Sequence, residues 1–169
     1  MSVDKIRNKI SEAGLVTVDL LDFLPKGNRR CVNLKSWLYR GLIIKESDFK
    51  EKLKKFNPSE FKGDYVYIHC SEDVIIPTWA FLLLQIKLSP FAKYVFFGEK
   101  KELDLVLFKN NIESLDVGLY KNKRVFIKGC SDPSLPIGAF SIISEKLIPH
   151  VKSLFYGEAC SNVPLIKNM

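Results

Sequence analysis

Short apolar runs alternate with helix-length amphipathic stretches along the second half of the chain. Tyr65–Cys70 and Val125–Lys128 are rich in β-branched and aromatic residues, as buried strands are. A loop follows each, then a proline, Pro77 or Pro136, suited to the first helical position. The pattern predicts helices near 78–89 and 137–148. They end before Pro90 and Pro149, because the residue ahead of a proline avoids the α region. Tyr94–Phe97 and Leu154–Tyr156 read as second strands, closed by Gly98 and Gly157. Between them, Leu103, Val106 and Leu107 recur at helical spacing and predict a helix over Glu102–Leu115.

The two stretches resemble each other. Residues 65–99 and 124–158 follow one pattern, and from Pro77 to Glu99 they align without gaps at a spacing of 59. Identical residues include Pro77/Pro136, Ala80/Ala139, Phe81/Phe140, Leu88/Leu147, Gly98/Gly157 and Glu99/Glu158. The Cys-Ser pairs, Cys70-Ser71 and Cys130-Ser131, align at a spacing of 60. The reading is an internal repeat of a βαβ unit. The expected fold class is α/β: duplicated βαβ units forming a mainly parallel, Rossmann-like sheet in the order 2-1-3-4. Such an order has a switch point between its first and third strands, where ligands of open sheets bind. Those two strand ends carry Cys70-Ser71 and Cys130-Ser131.

Residues 1–60 are expected to form a small N-terminal α+β appendage to the duplicated domain, 61–169. It would pack on the sheet or form a dimer interface. Val3, Ile6 and Ile10 suggest a helix ending near Gly14, and Val16–Phe23 and Gly41–Lys45 suggest strands. Asn33–Tyr39 suggests a helical turn carrying Trp37. Ser47 is the expected N-cap of a lysine-rich helix that Asn57-Pro58 ends.

Composition narrows the class. Of 169 residues, 47% are hydrophobic and 27% charged, which excludes a disordered chain, a collagen-like fibre and a disulfide-dense miniprotein. The longest apolar run, Val74–Ile86, is broken by Pro77 and falls short of the roughly 20 residues a bilayer needs. The first residues are charged and lack an apolar signal core, so a cytoplasmic protein with reduced cysteines is expected. The net charge is +7, of which residues 1–60 carry +5 (13 Lys+Arg against 8 Asp+Glu). The basic helix also holds Glu46, Asp48 and Glu51, with Phe49, Leu53 and Phe56 on one stripe. That is an amphipathic helix with a solvated lysine face, so nucleic acid is not an expected partner and neither is a membrane. No Gly-rich phosphate loop or dinucleotide fingerprint is present, so no nucleotide cofactor is expected.

Three of the four cysteines precede serine: Cys70, Cys130 and Cys160. If Cys70 and Cys130 end adjacent strands, about 4.8 Å apart, their sulfurs can share one ion. Zinc or an iron–sulfur cluster suits such soft ligands. Ser71, Asp73, Ser131, Asp132 and Ser161 would stand around it as supporting or anion-binding groups. The competing readings are a reactive thiolate, its pKa lowered by a helix N-terminus, and cysteines that only pack. Cys31 lies outside the repeat and His150 at a helix end, both without an expected role in the site. His69 precedes Cys70 on the same strand and points to its other face. Glu99 and Glu158 follow strand-ending glycines, and Trp37 and Trp79 read as core.

HCSEDVIIPTWAFLLL, IKGCSDPSLP, YGEACSNVPL and WLYRGLIIKESDF resemble an uncharacterised bacterial family catalogued as domain of unknown function 2480. The similarity covers nearly the whole chain. The resemblance implies no activity; its signature segments are the three Cys-Ser segments. The sequence therefore leaves two readings: a metal or thiolate site at Cys70, Cys130 and Cys160, catalytic or not, and a non-enzymatic homodimeric interaction module.

Overall fold

A computed structural model describes residues 14–129 and 133–167. In chain order its elements are β1 (Leu15–Asp19), β2 (Arg29–Asn33), α1 (Glu46–Lys55), β3 (Tyr65–His69), α2 (Thr78–Leu88), β4 (Tyr94–Phe97), α3 (Lys100–Glu113), β5 (Arg124–Lys128), α4 (Gly138–Leu147), β6 (Ser153–Glu158) and β7 (Ser161–Lys167). The chain is a mixed α/β protein with parallel-rich sheets. It divides into two compact units, one of residues 1–25 and 104–169, the other of Lys26–Leu103.

In the inner unit, Lys26–Leu103, β2, β3 and β4 form a parallel sheet in that order. The order runs in one direction, so right-handed crossovers place α1 and α2 on the same face. That face presents Val32, Val66, Ile68 and Val95, which join Phe49, Ala80, Leu84 and Leu88 in one core. In the outer unit the order is β1-β5-β6-β7, with β1, β5 and β6 parallel. Val16, Val18, Val125, Ile127 and Leu154 pack with Phe108, Ile112, Ala139, Ile143 and Leu147 of α3 and α4. A two-residue turn, Ala159–Cys160, then returns the chain as the antiparallel strand β7.

Positions 59 residues apart share their surroundings. Phe49 and Phe108, Val66 and Val125, Ile68 and Ile127, Ala80 and Ala139, Leu84 and Ile143, and Leu88 and Leu147 are all buried. Phe61 and Tyr120 are buried in matching 3-10 turns, each capped by its preceding side chain, Asn57 or Asp116. The first strands match at a spacing of 14. Asp19 and Asn33 each cap a 3-10 turn that carries a buried aromatic, Phe23 or Trp37.

Several expectations are corrected. β3 and β5 lie in different sheets, so no single Rossmann-like sheet of order 2-1-3-4 forms. Each sheet adds its parallel strands in one direction, so neither contains the reversal that makes a switch point. The cause is in the first 60 residues: β1 and β2 pair with β5 and β3 and complete both sheets. Gly41–Lys45 is no strand; a lone bridge joins Tyr39 to Ile43. Lys45, not Ser47, is the N-cap of α1 and makes no side-chain cap bond. The helix expected at Val3, Ile6 and Ile10 lies outside the described residues.

Candidate functional site

The carboxyl edge of the inner sheet is held by one side chain. Asn33, at the end of β2, accepts from the Lys35 amide at 2.9 Å and so starts the turn that aims Trp37 inward. The same oxygen accepts from the Ser71 amide at 3.3 Å, and the Asn33 amide nitrogen donates to the Ser71 hydroxyl at 3.0 Å. Beside it Lys35 meets Glu72 at 2.6 Å, and that carboxylate raises the Lys35 ammonium above its ordinary pKa. Asn33 was not among the residues singled out from sequence. Its signal was the Asn-Leu step ahead of a buried aromatic, the capping pattern also found at Asp19-Leu20.

The sequence-selected residues fall as follows. Cys70 is half-buried directly after β3 and packs against the core of the inner unit. Asp73 is exposed. Cys160 is exposed in the β6–β7 turn of the outer unit, and Ser161 opens β7 opposite Glu158. Cys130, Ser131 and Asp132 lie outside the described residues. The adjacency meant to bring Cys70 and Cys130 together required neighbouring β3 and β5, and those strands belong to separate sheets. Among the described residues no group of three or more His, Cys, Asp and Glu side chains could hold a metal ion. His69 is half-buried and His150 exposed.

A groove that sequence reading did not anticipate lies along β2. Cys31, Val32, Asn33, Ser36, Trp37, Lys52, Lys55, Phe56 and Phe61 line a volume of about 430 Å3, within the size range of ligand clefts. Three consecutive strand residues line it because β2 is the edge of its sheet, so the strand's open side forms one wall. The opposite wall is aromatic. Phe56 sits 5.5 Å from Trp37 and 5.6 Å from Phe61, ring centre to ring centre. Asn57-Pro58 ends α1 at this point and turns Phe61 under Phe56. Lys52 donates to the Ser36 carbonyl at 2.7 Å, whereas Lys55 has no ion-pair partner among the described residues. Arg30 lies 4.3 Å above the Phe61 ring. Charge is concentrated here: residues 26–103 carry 15 Lys+Arg against 9 Asp+Glu, or +6, and the remainder 11 against 10, or +1.

Cys31 is exposed in this groove, and partial burial raises its thiol pKa. A hydrogen bond from Tyr67, its neighbour across the ladder, opposes the shift. Only thiolate is alkylated, so iodoacetamide labelling of Cys31 should have its pH midpoint above that of the denatured chain. Tyr67→Phe removes the opposing bond and should move the midpoint higher still. A midpoint at or below the denatured value, read by peptide mass spectrometry, would contradict this account.

Fold and groove together define an α/β protein of two units with parallel-rich sheets and a basic sheet edge. The chain belongs to the family described as Protein of unknown function (DUF2480), whose model matches residues 4–168. No curated protein and no solved structure matches the chain. No helix among the described residues is long and apolar enough to cross a membrane.

Proposed function

We propose that the protein is a non-enzymatic interaction module, working as a homodimer, whose inner unit holds extended acidic segments of other proteins along β2. The observation that carries the reading is the groove itself, in which a strand at the edge of its sheet among the described residues, an aromatic wall and lysines face one volume. An edge strand offers backbone donors and acceptors that an extended peptide can continue, and adjoining pockets select its alternate side chains. Lys52 and Lys55 suit carboxylates, and the +6 charge of this unit draws an acidic chain. Nucleic acid fits less well. Trp37 and Phe61 are buried against other rings and offer no open face on which a base could stack.

Selection of short random peptides on the full chain tests this. Enriched sequences should alternate Asp or Glu with apolar residues and bind more weakly as salt rises. Lys55→Glu should weaken them about tenfold, equivalent to about 1.4 kcal/mol. No enrichment, indifference to Lys55→Glu, or capture of single-stranded oligonucleotides at these lysines would overturn the reading.

We also propose that the two units arose by duplication of a β-α-β-α-β unit, with one copy inserted after the first strand of the other. Equivalent ring pairs support this: Trp37–Phe49 and Phe23–Phe108 in one place, Phe81–Phe97 and Phe140–Tyr156 in another. The other functional reading, a zinc, iron–sulfur or thiolate site at Cys70, Cys130 and Cys160, is supported by the recurring Cys-Ser segments alone. Stoichiometric metal in chain purified anaerobically would establish it and displace the module reading.

A further inference from the structure

Helix α2 carries apolar residues on its outer face as well as its inner one. Ala80, Leu84 and Leu88 face the core of the inner unit. On the outside, Leu82 is 47% and Ile86 70% exposed, and Ile75 just ahead of the helix is 94% exposed. Lys87 is the one charged residue of the eleven. The corresponding helix of the outer unit supplies an internal control. At a spacing of 59, α4 buries Ala139, Ile143 and Leu147 at the matching positions, yet carries exposed Ser141 and Glu145 where α2 carries Leu82 and Ile86. The two helices differ at these two positions and not ahead of them, where Ile137 of the outer unit is 89% exposed much as Ile75 is. Contiguous exposed apolar surface of this kind marks contact sites.

We infer that the outer face of α2 is the contact through which two copies of this chain pair about a two-fold axis; the inference rests on the homodimer reading above. Charge selects the occupant. The inner unit carries +6, so most of its surface repels a second copy. The α2 face is the exception. Its groove of about 370 Å3 is lined by Trp79, Leu82 and Leu83, with Glu46 and Lys50 at the rim. Glu46 and Lys50 already pair at 2.6 Å, and the ammonium holds the Glu46 carboxyl below its usual range. A locally neutral apolar patch rimmed by both signs of charge is complementary to itself, which an isologous contact requires. An acidic partner is drawn instead to the lysines of the β2 groove. In the pair, Leu82 and Ile86 of one copy occupy the Trp79–Leu83 groove of the other.

Sedimentation velocity of the full chain across a concentration series provides the test. The variant Leu82→Ser/Ile86→Glu places on α2 the residues that α4 already carries, at exposed positions, so folding is retained and is checked by far-UV circular dichroism. Leu42→Ser removes a 68% exposed leucine outside this face and serves as the control. The expected result is a dimer for the unmodified chain and for Leu42→Ser, persisting in molar salt, and a folded monomer for the double variant. An unmodified chain that is monomeric at every concentration overturns both the homodimer reading and this face; its binding to lipid vesicles would then assign α2 to a membrane surface. A dimer that survives Leu82→Ser/Ile86→Glu overturns the face and leaves the homodimer reading standing on another surface.

Discussion

Phe49→Ala is expected to destabilise the chain by about 3–5 kcal/mol, and Phe108→Ala by a similar amount. Both rings are fully buried. Phe49 lies 4.9 Å from Trp37 and edge-on to Trp79 at 5.4 Å, so its removal opens a cavity between two large, stiff side chains. Phe108 meets Phe23 edge-on at 6.0 Å in the outer unit. Neither hole is easily refilled, because Trp37 and Phe23 are fixed by 3-10 turns that Asn33 and Asp19 cap. A loss of this size is a large share of the roughly 5–15 kcal/mol that holds an ordinary domain together. Urea unfolding measures it. A shift below about 1 kcal/mol for either variant would mean that these rings do not anchor their cores.

Gly157→Ala should open the β6–β7 hairpin, and be worse than Gly98→Ala in the inner unit. Gly157 has φ 108°, a conformation other residues reach only with strain of order 1–3 kcal/mol. An added Cβ would also stand 2.5 Å from the Ser161 carbonyl oxygen, which is backbone of the paired strand and cannot turn away. Gly98 has φ 135°, but the atoms that a Cβ would meet there belong to the Glu102 and Phe96 side chains, which can move. Loss of amide protection across Ser161–Lys167 in Gly157→Ala would show β7 separating from β6. Equal effects of the two substitutions would remove the backbone clash as the cause.

A motif can sit on the element its sequence suggests and still have other neighbours. Cys70 does follow β3, and Cys160 does follow β6. What failed was the assumption that β3 and β5, alike in sequence, pair with each other. They pair with β2 and β1; the pattern of β1 alternates, but Arg29–Asn33 buries only Val32, and no alternation announces β2. The β2 groove was illegible for the same reason. Its walls come from a strand, a 3-10 turn and a helix end, and only strand order leaves the side of β2 open.

The sequence by itself determined the local elements. Helix and strand periodicity, prolines at helix starts, and glycines at strand ends are short-range constraints, written in adjacent residues. They placed α2, α3, α4, β3, β4, β5 and β6 within a few residues of their observed positions. Tertiary structure alone decided which strands share a sheet, because pairing depends on crossover direction and on which unit each N-terminal strand joins. β1 meets β5 across more than a hundred intervening residues, with Leu15 opposite Arg124. No local pattern records that choice. It is made by burial, when Val16 and Val18 find the core of one unit and Val32 that of the other.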